Sequence, residues 1–221
     1  VLCVCVVVMT SCGQKEKNEV RIYSYGDYIA PGLIKQFEKE TGIKVVYDTF
    51  DTNEEMYPVI KNQAGVYDVI CPSDYMVERM RNEGLLSKID YSKVPNFKNI
   101  GSRYLKIADR SYDPGNKYAV PYQWGIAGIM YNSSKIKKGE ITSWNDLWNK
   151  KYKGSIIMQD SLRDTMGASL KALGYSLNST KKSELSAAAD YLVKQKPLVY
   201  KYANDSARDL LIGNSADIGV V

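Results

Sequence analysis

Tyrosine, serine and carboxylate side chains cluster at three points of the sequence, each directly after a short apolar run. The clusters are Tyr25, Asp27 and Tyr28; Ser73, Asp74 and Tyr75; and Asp160, Ser161 and Asp164. An aromatic ring attracts a cation by about 0.5–2 kcal/mol, and a carboxylate accepts charge-assisted hydrogen bonds from an N–H donor. Residues of these types indicate a receptor for an organic ammonium.

Each residue also has a purely structural interpretation. Asp74 and Ser161 stand where they could cap helices, and Asp27 suits a turn. Tyr25 and Tyr75 could be half-buried packing at the ends of strands. For any one residue alone the structural interpretation is favoured, whereas three such clusters together favour a binding site.

Short apolar runs alternate with amphipathic stretches, which predicts an α/β protein. We predict strands at residues 20–25, 43–47, 67–71, 126–131, 155–158, 198–200 and 216–221. We predict helices at residues 31–40, 53–64, 74–83, 144–149, 161–173, 181–194 and 206–212, with Asn53 as the cap of the second. Residues 91–118 are dense in Pro, Asn, Asp and Gly, and we predict that they are irregular.

The alternation of strands and helices in the first part of the chain predicts a parallel sheet covered by helices. Ligands of such sheets bind beyond the carboxyl ends of the strands. All three polar clusters follow predicted strands. We therefore expect them to face a ligand.

The composition excludes several kinds of catalytic and metal-binding site. The 221 residues include no histidine, which excludes Ser-His-Asp and Cys-His catalysis as well as His-ligated zinc. No Walker loop, GxGxxG, CxxC or Gly-x-Ser-x-Gly motif is present, so we expect no metal and no cofactor. The net charge of +5 is spread along the chain and does not indicate a nucleic-acid partner.

The first residues are typical of a targeting segment. Residues 1–11 are apolar and uncharged, and they are too few for a membrane span of about 20 residues. They fit the remnant of a secretory signal peptide, with a buried N-terminal strand as the alternative. The run Thr10-Ser11-Cys12-Gly13 resembles a bacterial lipoprotein processing site, which predicts lipid attachment at Cys12 and a polar tether at 12–18. Residues 217–221 form an apolar run up to the last residue, and we expect a chain truncated at both ends.

At the predicted strand ends, the sequence resembles the spermidine/putrescine-binding proteins of polyamine ABC transporters. The resemblance spans about residues 19–221 and is carried by segments 22–29, 37–45, 67–75, 120–125, 142–148 and 160–165. The Phe-x-x-x-Thr-Gly-Ile pattern is shared by many solute-binding proteins. The Ser73-Asp74-Tyr75 and Asp160-Ser161-x-Arg163-Asp164 segments are much more specific.

This resemblance implies a two-lobed, periplasmic-binding-protein-like α/β fold that closes over a linear polyamine in an aromatic and acidic cleft. The implied division is a signal remnant at 1–11, a tether at 12–18, a first lobe at 19–123 and an incomplete second lobe at 124–221. The implied ligand-binding residues are Tyr25 and Tyr28 as aromatic walls, Asp27 for a terminal ammonium, Ser73 and Tyr75 as hydroxyls, and Ser161, Asp164 and Asn204 from the second lobe.

The resemblance further implies a monomeric receptor without enzymatic activity. It would be held by lipid on the outer side of the bacterial membrane and would deliver spermidine or putrescine to a permease. Two alternatives remain: a solute-binding protein for another small ligand, and a carboxylate-based hydrolase of the cell envelope. Arg163 is the only arginine at these strand ends, which argues against an anionic ligand. The absence of histidine argues against the hydrolase.

Overall fold

The computed structural model describes residues 18–221, which form two compact units. The first unit comprises the described residues up to Asp90 together with Ala108–Ala119, and the second comprises Tyr91–Ile107 and Val120–Val221. Residues 91–107 and 120–123, assigned from the sequence to the first lobe, lie in the second unit. Cys12 and the predicted signal remnant lie outside the described residues.

The first unit contains a three-stranded parallel sheet, as predicted. Its strands are β1 (Glu19–Ser24), β2 (Lys44–Thr49) and β3 (Val69–Ile70), in the order β2-β1-β3. Its helices are α1 (Leu33–Thr41), α2 (Asn53–Asn62) and α3 (Asp74–Asn82). The buried core consists of Tyr23, Phe50, Met56, Tyr57, Met76 and Met80. The parallel pairing places the carboxyl ends of all three strands at one edge of this sheet.

Helix α1 begins later than predicted, and its apolar face is partly exposed. Gly32 precedes the helix in the left-handed conformation with a φ of 85°, so Pro31 lies outside it. Gly42 ends the helix, with a φ of 70° and its N–H donating to the Glu38 carbonyl. The apolar side chains of Leu33 and Phe37 are 48% and 39% exposed.

Helix α2 is capped by Thr52 and not, as predicted, by Asn53. The Thr52 hydroxyl accepts a hydrogen bond from the Glu55 N–H at 3.2 Å. Asn53 is the first residue of the helix itself, and the helix continues through Pro58. The Asn53 side chain is therefore not engaged in capping, and it contacts other residues described below.

The prediction of an irregular segment at 91–118 is wrong. This segment contains helix α4 (Ser102–Arg110) and two 3-10 helices, Tyr91–Lys93 and Pro95–Asn99. Ala108, the buried residue of α4, is fully inaccessible to solvent, whereas Ile107 beside it is half exposed. The helix is only nine residues long and lies in a stretch whose Pro, Asn, Asp and Gly content predicted loops.

The second unit contains a four-stranded mixed sheet. Its strands are β4 (Ile129–Tyr131), β5 (Ile156–Met158), β6 (Val199–Tyr202) and β7 (Ile218–Val220), in the order β4-β7-β5-β6. Strands β5, β6 and β7 are parallel, and β4 is antiparallel to β7. Its helices are α5 (Leu162–Ala172), α6 (Lys182–Gln195) and α7 (Ser206–Ile212), with a 3-10 helix at Trp144–Trp148.

Apolar side chains cover both faces of this sheet. Ile156 and Met158 of β5 pack in one buried cluster with Leu147, while Ile157 packs in a second cluster with Leu211. Alternate residues of a strand point to opposite faces, so a strand buried on both sides is apolar throughout. This burial explains the uninterrupted apolar run that predicted β5.

Among the residues that the structure describes, no helix combines the length and the apolar character needed to cross a membrane.

Candidate functional site

The ring of Tyr25 is held at the carboxyl end of β1 by two neighbouring rings. Its centroid lies 4.7 Å from that of Tyr28 and 4.5 Å from that of Phe50. The Tyr47 hydroxyl donates a 2.7 Å hydrogen bond to the Tyr25 carbonyl oxygen, which fixes the backbone at the same point. The structure thus brings together the two tyrosines predicted to form aromatic walls. Asp27 lies between them in a 3-10 helix (Gly26–Tyr28) and is exposed.

A buried amide joins the ends of all three strands of the first unit. Asn53, which follows β2, is 4% exposed. Its Nδ2 donates to the Tyr25 hydroxyl at 2.7 Å and to the Ser73 hydroxyl at 2.9 Å. The Ser73 N–H donates to Asn53 Oδ1 at 3.0 Å, and the hydroxyls of Tyr25 and Ser73 are 3.3 Å apart. The predicted residues Tyr25 and Ser73 therefore form one cluster.

Asn53 was not predicted as a site residue. The rule that ligands bind beyond the carboxyl ends of parallel strands was applied to β1, β3 and β5 but not to β2. Applied to β2, the same rule selects Asn53, because this residue follows the strand within a few positions.

Tyr75 lies beside the same cluster and donates its hydroxyl hydrogen to Glu54 Oε1 at 3.1 Å. Burial, together with the Glu54 carboxylate, raises the pKa of Tyr75 well above its usual value, and a hydrogen bond with Asn53 opposes this rise. The phenol is therefore a neutral hydrogen-bonding group at physiological pH. Asp74 accepts a hydrogen bond from the Tyr75 N–H at 2.7 Å, but it is the first residue of α3 and not its cap, because Ser73 occupies the cap position.

The helices that carry Asn53 and Tyr75 are joined by a polar cluster at their far ends. The Tyr57 hydroxyl of α2 donates to Glu83 at 2.5 Å, and Arg79 Nε of α3 donates to the same carboxylate at 3.1 Å. The Arg79 guanidinium lies 3.8 Å from the centre of the Tyr57 ring, and Lys61 Nζ is 3.3 Å from Glu83. This cluster fixes α2 against α3.

Replacing Glu83 by glutamine is expected to make the stability of the protein less dependent on pH in the acidic range. The Tyr57 hydroxyl and then the Arg79 guanidinium lower the pKa of Glu83 to about 2. A carboxyl group with a lowered folded-state pKa stabilises the fold above its unfolded-state pKa, and this contribution is lost as the pH falls through the folded value. Urea unfolding of E83Q and wild type between about pH 5 and pH 2 measures the effect. Parallel stability curves for the two proteins would contradict the prediction.

The second unit brings three predicted residues to the carboxyl ends of its parallel strands. Ser161 caps α5: its hydroxyl accepts from the Asp164 N–H at 3.4 Å and donates to Asp164 Oδ2 at 2.5 Å. Asn204, which follows β6, donates from Nδ2 to the Asp160 carbonyl at 3.1 Å. Gln159 Nε2 donates to the Val220 carbonyl at 2.7 Å, which ties the end of β5 to β7.

Ser161 and Asp164 thus have a structural role at the start of α5, and the Asp164 side chain is also accessible to a ligand. Ser161 is a helix cap, as its type and place suggested. The Asp164 side chain is exposed in the first turn of α5, where the helix dipole favours a negative charge. An exposed carboxylate at this place can accept hydrogen bonds from an ammonium group without loss of the cap. Within residues 18–221, no three His, Cys, Asp or Glu residues are grouped so that they could hold a metal ion.

The fold is that of an α/β protein in which each unit carries a cluster of polar side chains at the carboxyl edge of its parallel strands. The chain belongs to the family of bacterial extracellular solute-binding proteins, whose family model matches residues 32–220. It is similar to the spermidine/putrescine-binding periplasmic protein of Escherichia coli K12, with 38% identity over 214 residues. These comparisons confirm the family resemblance seen in the sequence.

Two solved structures share both fold and sequence with this chain. One is a putative spermidine/putrescine ABC transporter protein from Listeria monocytogenes, with a TM-score of 0.86 and 43% identity over 92% of this chain and 62% of that one. The other is the TpPotD lipoprotein of Treponema pallidum, with a TM-score of 0.82 and 32% identity over 91% of this chain and 63% of that one. The match to the E. coli relative covers 96% of this chain but 61% of the relative. The chain thus spans about three-fifths of the length of these relatives.

Proposed function

We propose that this protein is an extracytoplasmic receptor that captures a polyamine, spermidine or putrescine, and delivers it to the permease of an ABC transporter. The observation that carries the proposal is the cluster at the sheet edge of the first unit, where the rings of Tyr25 and Tyr28 contact each other at a tilt of 37° near the hydroxyls of Ser73 and Tyr75. Aromatic faces and oxygen acceptors suit an alkylammonium. Relatives named for spermidine and putrescine have the same fold.

In this proposal the strand ends of the second unit also offer carboxylate and amide oxygens to an ammonium group. Asp164 is the acidic member, and Ser161 and Asn204 add neutral oxygens. Charge-assisted hydrogen bonds to an ammonium are about twice as strong as neutral ones, so Asp164 is expected to contribute most in this unit. Asp27 plays the corresponding role in the first unit, where it is exposed beside the tyrosine rings.

The proposed receptor releases its ligand chemically unchanged. The family consists of solute-binding proteins, and the site contains hydroxyls, amides and carboxylates that bind by hydrogen bonding. We propose that the protein has no enzymatic activity and acts as a monomer.

Isothermal titration calorimetry on the full-length protein tests the ligand. We expect micromolar or tighter binding of spermidine or putrescine, and no heat from glutamate, maltose or ferric ion under the same conditions. Binding of one of these three control ligands, with no binding of either polyamine, would establish the alternative of a receptor for another solute. Failure to bind any of the five would overturn the proposal.

We also propose that the mature protein is anchored by a lipid on Cys12, which lies outside the described residues. The motif at 10–13 supports this proposal. Metabolic labelling with a radioactive fatty acid should mark the wild-type protein and leave Cys12→Ala unlabelled, with Cys71→Ala as the matched cysteine control. Equal labelling of the wild type and C12A would refute the anchor.

A further inference from the structure

Asn53 is a buried amide whose hydrogen-bonding groups are directed at two proposed ligand-binding hydroxyls. Its position as the first residue of α2 places the side chain beneath the carboxyl ends of β1 and β3. Thr52 caps the helix, so Asn53 is not needed for that role. Burial of an amide costs free energy unless its donors and acceptor find partners, and this amide has partners on both its oxygen and its nitrogen.

The orientation of the Asn53 amide follows from a backbone group. The Ser73 N–H is a donor and therefore must face the amide oxygen. The amide nitrogen consequently points at Tyr25 and Ser73, whose hydroxyl oxygens lie at 2.7 and 2.9 Å from it, and it also contacts the Tyr75 hydroxyl. This assignment does not depend on the choice between the two amide rotations, because a backbone N–H cannot accept.

The two N–H bonds restrict the side chains that receive them. A serine hydroxyl free of such a bond rotates between staggered positions, and a tyrosine hydroxyl turns about its C–O bond. Donation from Asn53 fills one acceptor position on each oxygen. The two hydroxyls also lie within hydrogen-bonding distance of each other, at 3.3 Å, so the bonds from Asn53 and this contact together fix the positions of both oxygens.

We propose that Asn53 is a positioning residue of the polyamine site, which sets the hydroxyls of Tyr25 and Ser73 in the orientation that binds the ligand. This inference rests on the proposed function. Groups held in their bound orientation before the ligand arrives lose less conformational freedom on binding, which raises affinity. Asn53 itself acts only through the two hydroxyls.

The test compares polyamine binding and stability in the full-length protein. Calorimetric titration with spermidine and putrescine is carried out on wild type, N53A, Y25F and the double variant N53A/Y25F, and thermal unfolding is measured on each. We expect N53A to raise the dissociation constant about tenfold or more. We expect the loss of affinity in the double variant to be smaller than the product of the two single fold-changes, because both changes remove the bond between Asn53 and Tyr25.

A matched control separates positioning from helix stability. Thr52→Ala removes the cap of the same helix and is expected to lower the melting temperature, yet to leave the dissociation constant within twofold of wild type. If N53A does not fold, N53S and the cycle of N53S with Y25F provide the same comparison. Serine at position 53 keeps a short polar side chain but cannot donate to both hydroxyls.

The outcomes are distinct. If the wild-type protein binds a polyamine and N53A has the same dissociation constant, this inference is overturned but the proposed function is not. The same holds for N53S where it replaces N53A. The inference is also overturned if the fold-change in dissociation constant of the double variant equals the product of those of the two single variants, because the two residues would then act independently. Absence of polyamine binding by the wild-type protein overturns the proposed function and this inference with it. Loss of affinity with strong coupling, beside an unaffected T52A, supports the assignment.

Discussion

Replacing Asp164 by asparagine is expected to weaken spermidine binding by about 1.5–3 kcal/mol, which corresponds to roughly a 10- to 150-fold increase in the dissociation constant. Asparagine keeps the size of the side chain and an oxygen that can accept from the Ser161 hydroxyl, as Asp164 Oδ2 does at 2.5 Å. What it removes is the negative charge at the carboxyl edge of the second sheet. The loss therefore measures the contribution of the charge to binding of an ammonium.

The matched control is Asp190→Asn, which makes the same change of charge at an exposed position of α6. If Asp164 acts by contact, D190N should leave the affinity within twofold of wild type at 0.15 M salt, because distant exposed charges are largely screened there. An equal loss in both variants would indicate a general effect of net charge. An unchanged affinity of D164N would remove Asp164 from the site, and thermal unfolding would show whether the cap was disturbed.

Replacing Gly219 by alanine is expected to lower the free energy of unfolding by about 1–3 kcal/mol. Gly219 lies in β7 between β4 and β5, paired with Met130 and Ile157. A Cβ at this position would lie 2.9 Å from Ile157 Cβ and 3.0 Å from the Ile157 carbonyl oxygen. The carbonyl oxygen is part of the β5 backbone, and the Cβ is bonded directly to that backbone. Neither atom can move by a side-chain rotation, so the contact can be relieved only by a shift of the sheet.

Gly128→Ala is the control for this prediction. A Cβ at Gly128 would meet no atom within 4 Å, and this glycine also lies beside β4. Urea unfolding of the full-length protein should give a lower midpoint for G219A than for G128A. The prediction fails if the two variants have equal stability.

The sequence predicted those parts of the fold that local patterns determine. The parallel sheet of the first unit follows from β-branched runs separated by amphipathic helices, and α7 begins and ends at the predicted residues. Helix α4 was missed because the Pro, Asn, Asp and Gly residues around it predicted an irregular segment, although Tyr104, Leu105 and Ala108 stand at helical spacing. The antiparallel pairing of β4 with β7 joins segments far apart in the chain, and a local pattern does not contain that information.

In the candidate site as well, some residues could be found from the local sequence and others only from the way the strands pair. Residue type and the ends of predicted strands selected Tyr25, Tyr28 and Ser73, and the structure places these three together. Asn53 escaped selection because its residue type suggested a helix cap, a role that Thr52 takes. Its connection to Tyr25 depends on the side-by-side pairing of β1 and β2. Residue types thus located the edge, and strand pairing determined which side chains share it.

Strand β7 has a consequence for the order in which the second unit can assemble during synthesis. β4 pairs only with β7 in the described sheet, and β7 is the last strand of the described chain to leave the ribosome. β4 therefore has no strand to pair with in the described sheet while β5 and β6 are synthesised. Contacts between segments so distant in sequence slow folding, since the loop between them must close first. We expect this unit to remain unfolded until translation has passed Val220.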